Sequence, residues 1–195
     1  VAFTIFGPSI TLLSAERLVL NVMQRMSAIA TLTNKYVKAL EGLNTKVLDT
    51  RKTTPLIRFL EKEAVKIGGG VNHRYGLYDM IMLKDNHNDF AGGIENSINK
   101  TIQYLRENNL NLKIEVETRN IEEVKEVLKV GNIDRIMLDN FNYDDMRKAV
   151  KLINNQYETE ASGGINLETV RKYAECGVDF VSVGALTHSV SNMDL

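Results

Sequence analysis

The chain has 195 residues, of which 44% are hydrophobic and 25% are charged. This is enough for one core but short for an eight-unit β/α barrel of typically about 250 residues, so one domain, complete or incomplete, is expected. With 24 Lys and Arg against 25 Asp and Glu, the formal net charge of -1 excludes a general basic field that would attract nucleic acid or an anionic membrane. Any anionic ligand must therefore be held by a local cluster of cations.

The cysteine content and the apolar runs exclude further classes of protein, namely disulfide-bonded and membrane-spanning proteins. Cys176 is the single cysteine, which excludes an internal disulfide framework and predicts a cytoplasmic protein with a buried structural thiol. We interpret His87 and His188 as loop or helix-start residues outside catalysis. No apolar stretch reaches the roughly 18 residues of a membrane span, and residues 1–13 lack the basic residues of a signal peptide. The sequence therefore predicts neither a membrane nor a nucleic-acid partner.

The chain opens with Val1, inside an apolar segment that no turn signal precedes. We therefore expect residues 1–13 to be a remnant of a preceding linker or strand and residues 14–195 to form the main domain, with an early end at Leu195. Ser14 is the predicted N-cap of a long helix, because apolar residues then recur at helical spacing as far as Gly42.

Beyond this helix, buried strands alternate with amphipathic helices. The predicted strands cover residues 46–50, 80–84, 112–118, 135–139, 159–162 and 179–184. The first predicted helix begins at Thr54-Pro55 and ends at Gly68. The other predicted helices begin at Gly93, Ile121, Tyr143 and Leu167. Parallel strands with helical crossovers form a doubly wound sheet or a barrel. We favour an α/β fold with an incomplete or open β/α barrel, TIM-like, of about six parallel strands, preceded by the long helix.

Cationic side chains follow the early strands of this predicted barrel. In such a barrel the carboxyl ends of the strands face one common cavity. Arg51, His73, Arg74 and Lys84 are therefore expected to hold a small molecule with two carboxylates, because guanidinium forks match carboxylates bidentately and ammonium supplies a point charge.

Carboxylates follow the middle strands, at Glu115, Glu117 and Asp139. Glu117 and Asp139 are one strand apart and offer hard oxygen ligands for a divalent cation or for sugar hydroxyls. The last two strands are followed by small residues, Ser162-Gly163-Gly164 and Gly184-Ala185, whose backbone N–H groups can hold a phosphate. The three groups together predict an anionic acid, a metal ion and a phosphorylated sugar.

Each feature alone has a structural explanation. A single charged residue at a strand end is more often a solvated charge or an ion pair than a ligand. Residues 50–54 are equally expected as a polar strand-to-helix loop capped by Thr54, and glycine pairs are ordinary turn residues. Six polar positions on one rim favour a shared site.

Ordered motifs at these positions carry a resemblance that covers nearly the whole chain. They are Glu16-Arg17 with Leu20-Asn21, Ile29-Ala30-Thr31, Asp49-Thr-Arg-Lys-Thr-Thr-Pro55, Gly68-Gly-Gly-Val-Asn-His-Arg74, Lys84-Asp-Asn-His87, Glu115-Val-Glu117, Leu138-Asp-Asn140, Ser162-Gly-Gly-Ile165 and Val183-Gly-Ala-Leu-Thr-His-Ser189. The sequence resembles the nicotinate-nucleotide pyrophosphorylase, or quinolinate phosphoribosyltransferase, family of NAD biosynthesis, which has a type II phosphoribosyltransferase fold. The resemblance implies a Mg²⁺-dependent transfer of ribose 5-phosphate from phosphoribosyl pyrophosphate to quinolinate, with loss of pyrophosphate and CO2, in a homodimer or a larger assembly.

The resemblance also implies roles for individual residues. The implied quinolinate-binding residues are Arg17, which would reach a neighbouring subunit's site, Arg51, His73, Arg74 and Lys84. The implied catalytic residues are Lys52, Glu117 and Asp139, with Glu117 and Asp139 also holding Mg²⁺ directly or through water. The implied contacts to phosphoribosyl pyrophosphate are Lys52, Ser162, Gly163, Gly164, Gly184 and Ala185.

Departures from the family pattern leave alternatives open. Ala28 and Leu56 stand where the family usually has glycine, and the family's N-terminal α/β sandwich domain, which forms part of the partner's active site, is absent from this sequence. The alternatives are an inactive phosphate-binding or assembly fragment, a related phosphoribosyltransferase that uses nicotinate, and an aldolase or isomerase with Lys84 as an amine nucleophile.

Overall fold

The computed structural model describes residues 3–194. The helices are α1 (Ser9–Ala39), α2 (Arg58–Ile67), α3 (Asp85–Ala91), α4 (Ile94–Glu107), α5 (Ile121–Val130), α6 (Tyr143–Ile153), α7 (Val170–Ala174) and α8 (Ala185–His188). The strands are β1 (Lys46–Leu48), β2 (Met80–Leu83), β3 (Lys113–Thr118), β4 (Arg135–Asp139), β5 (Glu158–Ser162) and β6 (Phe180–Ser182). The α/β alternation predicted from the sequence is confirmed.

All six strands are parallel and form one sheet in the order β1-β6-β5-β4-β3-β2. The two edge strands, β1 and β2, are not paired with each other, and a single bridge from Val71 to Leu48 continues the sheet beyond β1. The predicted open, six-stranded barrel is confirmed.

The two faces of the sheet differ in chemistry, because successive strand residues point to opposite sides. One face carries apolar residues that join the buried core, such as Ile136, Leu138 and Val181. The other face lines a cavity with residues such as Glu117, Met137 and Glu160. The hydrophobic core therefore lies on the opposite side of the sheet from the polar cavity.

The start of α1 differs from the sequence prediction. The helix begins at Ser9, with Pro8 in extended geometry at the N-cap position, and the Ser14 hydroxyl donates to the Ile10 carbonyl within the helix. The Ser14 N-cap is therefore wrong, and the predicted boundary between residues 13 and 14 falls inside α1. Residues 1, 2 and 195 lie outside the described part of the chain.

The predicted helix start at Thr54-Pro55 is also wrong, because α2 begins at Arg58. Thr54 caps no helix; instead its backbone N–H donates to Glu61 Oε2 at 2.9 Å. Leu56 adopts a φ of 69° and is 95% exposed. This left-handed conformation costs less for glycine than for leucine, which accounts for the glycine that the family usually has here.

The structure also bears on the single cysteine and on membrane-spanning helices. Cys176 is buried as predicted, and burial raises the pKa of its thiol. In residues 3–194, no helix combines the length and the apolar composition that crossing a bilayer requires.

Candidate active site

The carboxyl ends of the strands surround a cavity of about 640 Å³. Every residue assigned to the site from the sequence lines this cavity except Arg17, which lies exposed on α1. Glu115, expected on the rim, is instead completely buried. The predicted convergence of cations, carboxylates and small residues is confirmed, whereas the individual roles stay predictions.

The loop after β1 carries Arg51 and is held by Arg58 from the first turn of α2. Arg58 Nε donates to Thr53 Oγ1 at 2.8 Å, and its Nη2 donates to the Arg51 carbonyl at 3.3 Å. The Arg51 Nε is buried and has no hydrogen-bond partner among the described residues. A buried donor of this kind can be satisfied by an acceptor in the cavity.

Arg74 faces the same cavity from the loop before β2. Burial lowers the pKa of its guanidinium, and the nearby charge of Arg51 lowers it further. The protein contacts of Arg74 are long, 3.4 Å from Nη1 to the Met80 carbonyl and 3.5 Å from Nη2 to the Met82 sulfur. Two neighbouring cations that repel each other and have weak protein partners form a site suited to an anion.

A buried ion pair anchors the segment that contains His73. Lys62 Nζ lies 2.6 Å from Asp49 Oδ1, and the His73 backbone N–H donates to the same oxygen at 2.8 Å. The other carboxylate oxygen of Asp49 accepts from Asn72 Nδ2 at 2.6 Å. The carboxylate after β1 therefore positions the start of the Asn72–Arg74 loop.

The His73 side chain enters a buried cluster of four ionisable residues beneath the cavity. Its Nε2 lies 2.9 Å from Glu115 Oε2 and 3.2 Å from Glu160 Oε2, and both carboxylates are completely buried. Arg135 Nη1 donates to Glu160 Oε2 at 3.1 Å. The two carboxylates are thus matched by the Arg135 guanidinium and by a proton on His73, which buried charges require.

The two nitrogens of the His73 ring favour different protonation states. The Arg74 backbone N–H donates to Nδ1 at 2.6 Å, which favours a lone pair there. Burial lowers the pKa of His73 and its hydrogen bonds to Glu115 and Glu160 raise it. A second ring proton would have to lie on Nδ1, facing the Arg74 N–H, so we assign the neutral ring that donates from Nε2. The further proton of the cluster lies on the carboxylate pair, because burial and the charge of Glu160 raise the pKa of Glu115 to about 7.

This assignment predicts a pH dependence of stability. The pKa of Glu115 rises from 4.5 to about 7 on folding, so the stabilisation is fully present below pH 4.5 and is lost as the pH rises through about 7. We expect the free energy of unfolding, measured by urea denaturation, to fall by up to about 3 kcal/mol over this window. A Glu115→Gln variant should show a flatter profile between these pH values; an unchanged profile in that variant would contradict the assignment.

Among residues 3–194, His73, Glu115 and Glu160 are the only group of three or more potential metal ligands that lie close together. Their contacts are at hydrogen-bond distance, and Arg135 already supplies a positive charge. Ion pairing therefore accounts for the cluster without a metal ion.

Glu117 and Asp139 lie at the ends of neighbouring strands and both line the cavity. Glu117 Oε2 lies 3.3 Å from Lys84 Nζ, an ion pair that the sequence analysis did not anticipate. Mg²⁺ is usually held by one or two carboxylates together with substrate phosphates and water. The donor atoms of Glu117 and Asp139 fit the ion implied by the resemblance.

The turns after β5 and β6 bring backbone close to the cavity. Gly163 has a φ of 97°, and a Cβ there would overlap the side-chain amide of Asn140. A Cβ on Gly184 would lie 2.9 Å from His188 Nε2 and 3.4 Å from Lys52 Cδ. Glycine is therefore needed at Gly163, where φ is positive and a Cβ would also meet the Asn140 backbone, whereas at Gly184 a Cβ would meet only the ends of flexible side chains.

Some residues of the site were missed by the sequence analysis. Glu160 and His188 line the cavity, and Arg135 pairs beneath it. The alternation of Glu158, Glu160 and Ser162 along one strand was a signal for an inward-facing Glu160.

The fold defines an α/β protein of the open parallel-barrel class, with a polar cavity at the carboxyl ends of its strands. The chain belongs to the family described as quinolinate phosphoribosyl transferase, C-terminal domain, whose model matches residues 29–195.

Curated relatives agree with this membership. The chain is 50% identical to a chloroplastic nicotinate-nucleotide pyrophosphorylase [carboxylating] of Arabidopsis thaliana, with 93% of this chain and 56% of that protein covered. It is 47% identical to a probable nicotinate-nucleotide pyrophosphorylase [carboxylating] of Bacillus subtilis, with 97% of this chain and 64% of that protein covered. The chain therefore spans about three fifths of the length of these relatives.

Solved structures agree as well. NadC from Streptococcus pyogenes superposes with a TM-score of 0.90 at 40% identity, over 96% of this chain and 65% of that one. The nicotinate-nucleotide pyrophosphorylase from Ehrlichia chaffeensis gives a TM-score of 0.86 at 41% identity, over 95% of this chain and 66% of that one. Both the fold and the family are thus shared with proteins longer than this chain.

Proposed function

We propose that this chain is the catalytic part of a quinolinate phosphoribosyltransferase. The proposed reaction joins quinolinate and phosphoribosyl pyrophosphate to give nicotinate mononucleotide, pyrophosphate and CO2. The observation that supports it most is the single cavity into which Arg51, Arg74, Lys84, Glu117 and Asp139 converge. The family membership and the names of the relatives support the same substrates.

In this proposal the cations bind and orient the pyridine diacid. Arg51 and Arg74 face one carboxylate bidentately, and Lys84, paired with Glu117, lies near the other. The neutral His73 ring, held by Glu115 and Glu160 beneath the cavity, accepts the Arg74 backbone N–H and fixes the start of that side chain. This arrangement directs the ring nitrogen toward the ribose.

The remaining residues act on the sugar and on its leaving group. The ring nitrogen attacks C1 of the ribose as the bond from C1 to the pyrophosphate oxygen breaks, which builds positive charge on the ribose and negative charge on the leaving group. Glu117 and Asp139 stabilise the first charge, and Lys52 stabilises the second. Backbone N–H groups of Gly163, Gly164 and the Gly184–Ala185 turn receive phosphate oxygens. Mg²⁺, held by Glu117 and Asp139, would neutralise part of the pyrophosphate charge.

Decarboxylation then needs an electron sink. The bond between the ring and its 2-carboxylate breaks, CO2 leaves, and the electron pair stays on the ring carbon beside the positively charged nitrogen, where a solvent proton adds. The substrate ring supplies the sink, so no covalent nucleophile is needed from the protein.

Two further features belong to the proposal. Arg17 is exposed on α1 and away from the cavity of its own chain, which supports a role in a neighbouring subunit's site within a homodimer or larger homo-oligomer. A cytoplasmic location is supported by the single, reduced cysteine.

The experiment is incubation of the chain with phosphoribosyl pyrophosphate, Mg²⁺ and quinolinate that is labelled in its 2-carboxylate. We expect labelled CO2 and nicotinate mononucleotide in equal amounts. The absence of both products at high protein concentration would overturn the proposal for this chain.

A second candidate is a module that binds phosphoribosyl pyrophosphate without turning it over. Its support is that the chain spans only about three fifths of the relatives' length. Calorimetry separates the two candidates, because binding of phosphoribosyl pyrophosphate without CO2 release favours the module and turnover excludes it.

A further inference from the structure

Three polar side chains outside the cavity connect the loop after β1 to the turn after β6. They are Arg25 on α1, Glu61 on α2 and Thr187 on α8. Glu61 and Thr187 are completely buried, and the Arg25 side chain is 20% exposed. None of the three lines the cavity, and none is needed for the chemistry described above.

Arg25 and Glu61 hold the end of the loop after β1. Arg25 Nε and Nη2 donate to Glu61 Oε1 at 2.9 and 2.8 Å, a two-donor contact that fixes the carboxylate. The other oxygen, Oε2, accepts the Thr54 backbone N–H at 2.9 Å. A completely buried carboxylate is stable only with such partners, so the loop end is tied to both helices.

Thr187 holds the middle of the same loop. Its hydroxyl donates to the Lys52 carbonyl at 2.7 Å. The Thr187 carbonyl accepts from Arg25 Nη2, and Arg25 Nη1 donates to the Val190 carbonyl at 3.2 Å. The Arg25 guanidinium therefore forms hydrogen bonds to two groups: the buried carboxylate that holds the loop, and the segment that follows Gly184.

These contacts connect two parts of the cavity wall. The Lys52 side chain lines the cavity next to the Gly184–Ala185 turn, and a Cβ on Gly184 would lie 3.4 Å from Lys52 Cδ. Binding groups that act together on one ligand lose about 100-fold in rate when they are misplaced by about 1 Å. The distance between Lys52 and the Gly184–Ala185 turn is set by hydrogen bonds that lie outside the cavity.

We propose that Arg25, Glu61 and Thr187 are positioning residues that fix Lys52 relative to the Gly184–Ala185 turn, so that both engage one phosphoribosyl pyrophosphate. The choice of this ligand rests on the proposed function. The network itself is independent of the identity of the ligand.

The matched pair Thr187→Val and Thr187→Ser tests the role of the hydroxyl. Thr187→Val keeps the shape and removes the bond to the Lys52 carbonyl, so we expect the Kd for phosphoribosyl pyrophosphate, measured by calorimetry, to rise about 10-fold. Thr187→Ser keeps the hydroxyl and should restore the Kd to within about 3-fold of the unmodified chain. Unchanged affinity in Thr187→Val, or affinity in Thr187→Ser as weak as in Thr187→Val, would overturn the proposal.

Two controls separate positioning from general destabilisation. Ile153→Val, at the buried last residue of α6, should lower stability and leave the Kd unchanged. The Kd for quinolinate should change less than about 3-fold in Thr187→Val, because Arg74 and Lys84 lie outside the network and Arg58 still holds the Arg51 carbonyl. An equal loss for both ligands would indicate a merely structural role and overturn the proposal.

Amide hydrogen exchange tests the coupling without any ligand or turnover. Glu61→Gln should speed exchange in residues 50–54 and in residues 184–190 together, while β3 and β4 keep their protection. If only residues 50–54 respond, the coupling does not exist. If the chain binds phosphoribosyl pyrophosphate without forming product, the proposed function fails, and the Kd values of the Thr187 variants still test the positioning proposal. If the chain does not bind phosphoribosyl pyrophosphate, hydrogen exchange in Glu61→Gln alone tests the positioning proposal.

Discussion

Arg74→Gln is expected to weaken quinolinate binding at least about 30-fold, because removing one partner of a buried charged contact costs about 2–5 kcal/mol. The same change should leave the free energy of unfolding unchanged or slightly higher. Arg74 makes only long contacts with the protein, and Arg51 repels it. A loss of binding without a loss of stability is characteristic of a residue placed for a ligand.

Calorimetric titration with quinolinate measures the first effect, and urea denaturation measures the second. Arg74→Lys keeps the charge but not the guanidinium fork, so its Kd for quinolinate should lie between the values of the unmodified chain and of Arg74→Gln. Arg147→Gln, on the exposed face of α6, is the matched control that should leave binding unchanged. If Arg74→Gln hardly affects quinolinate binding, the diacid assignment is wrong and a substrate with one carboxylate, such as nicotinate, becomes the better choice.

Lys62→Met is expected to destabilise the chain by about 3–5 kcal/mol. It leaves the completely buried Asp49 carboxylate without its cation, with only Asn72 and the His73 N–H as partners. Urea denaturation measures the change. An effect below about 1 kcal/mol would mean that the pair does not anchor the segment.

Two comparisons sharpen this prediction. Lys148→Met removes the cation of the exposed Lys148–Asp145 pair and should change stability by less than about 1 kcal/mol. Adding Asp49→Asn to Lys62→Met should recover part of the loss, because the uncompensated charge disappears while the amide oxygen can still accept from His73. A double variant that is less stable than either single variant would contradict this account.

Several elements could be predicted from the sequence with accurate bounds. Arg135–Asp139 is observed as β4 as predicted, and α5 and α6 begin at the predicted Ile121 and Tyr143. In α5 and α6 the local signals agree, because Asn120 and Asn142 cap the helices through their side chains and acidic residues follow in the first turn. Agreement between local signals makes such boundaries predictable.

The failures occurred where local signals were misleading. Ser14 had the chemistry of an N-cap, but the helix continues back to Ser9 because the apolar residues before Ser14 also fit a helix. Thr54-Pro55 had the pattern of a helix start, but the Thr54 N–H is satisfied by Glu61. A capping pattern does not specify which acceptor the backbone finds in three dimensions.

The sequence by itself determined the order of strands and helices and the set of polar residues at the strand ends, because both depend on side-chain periodicity and on short motifs. Only the tertiary structure decided which charges pair. Glu115 on β3 lies beside Arg135 on β4, Arg135 pairs with Glu160 on β5, and His73 comes from a loop to join both carboxylates. These pairings depend on strand register and on loop positions, which arise when the sheet packs and which no local stretch of sequence encodes.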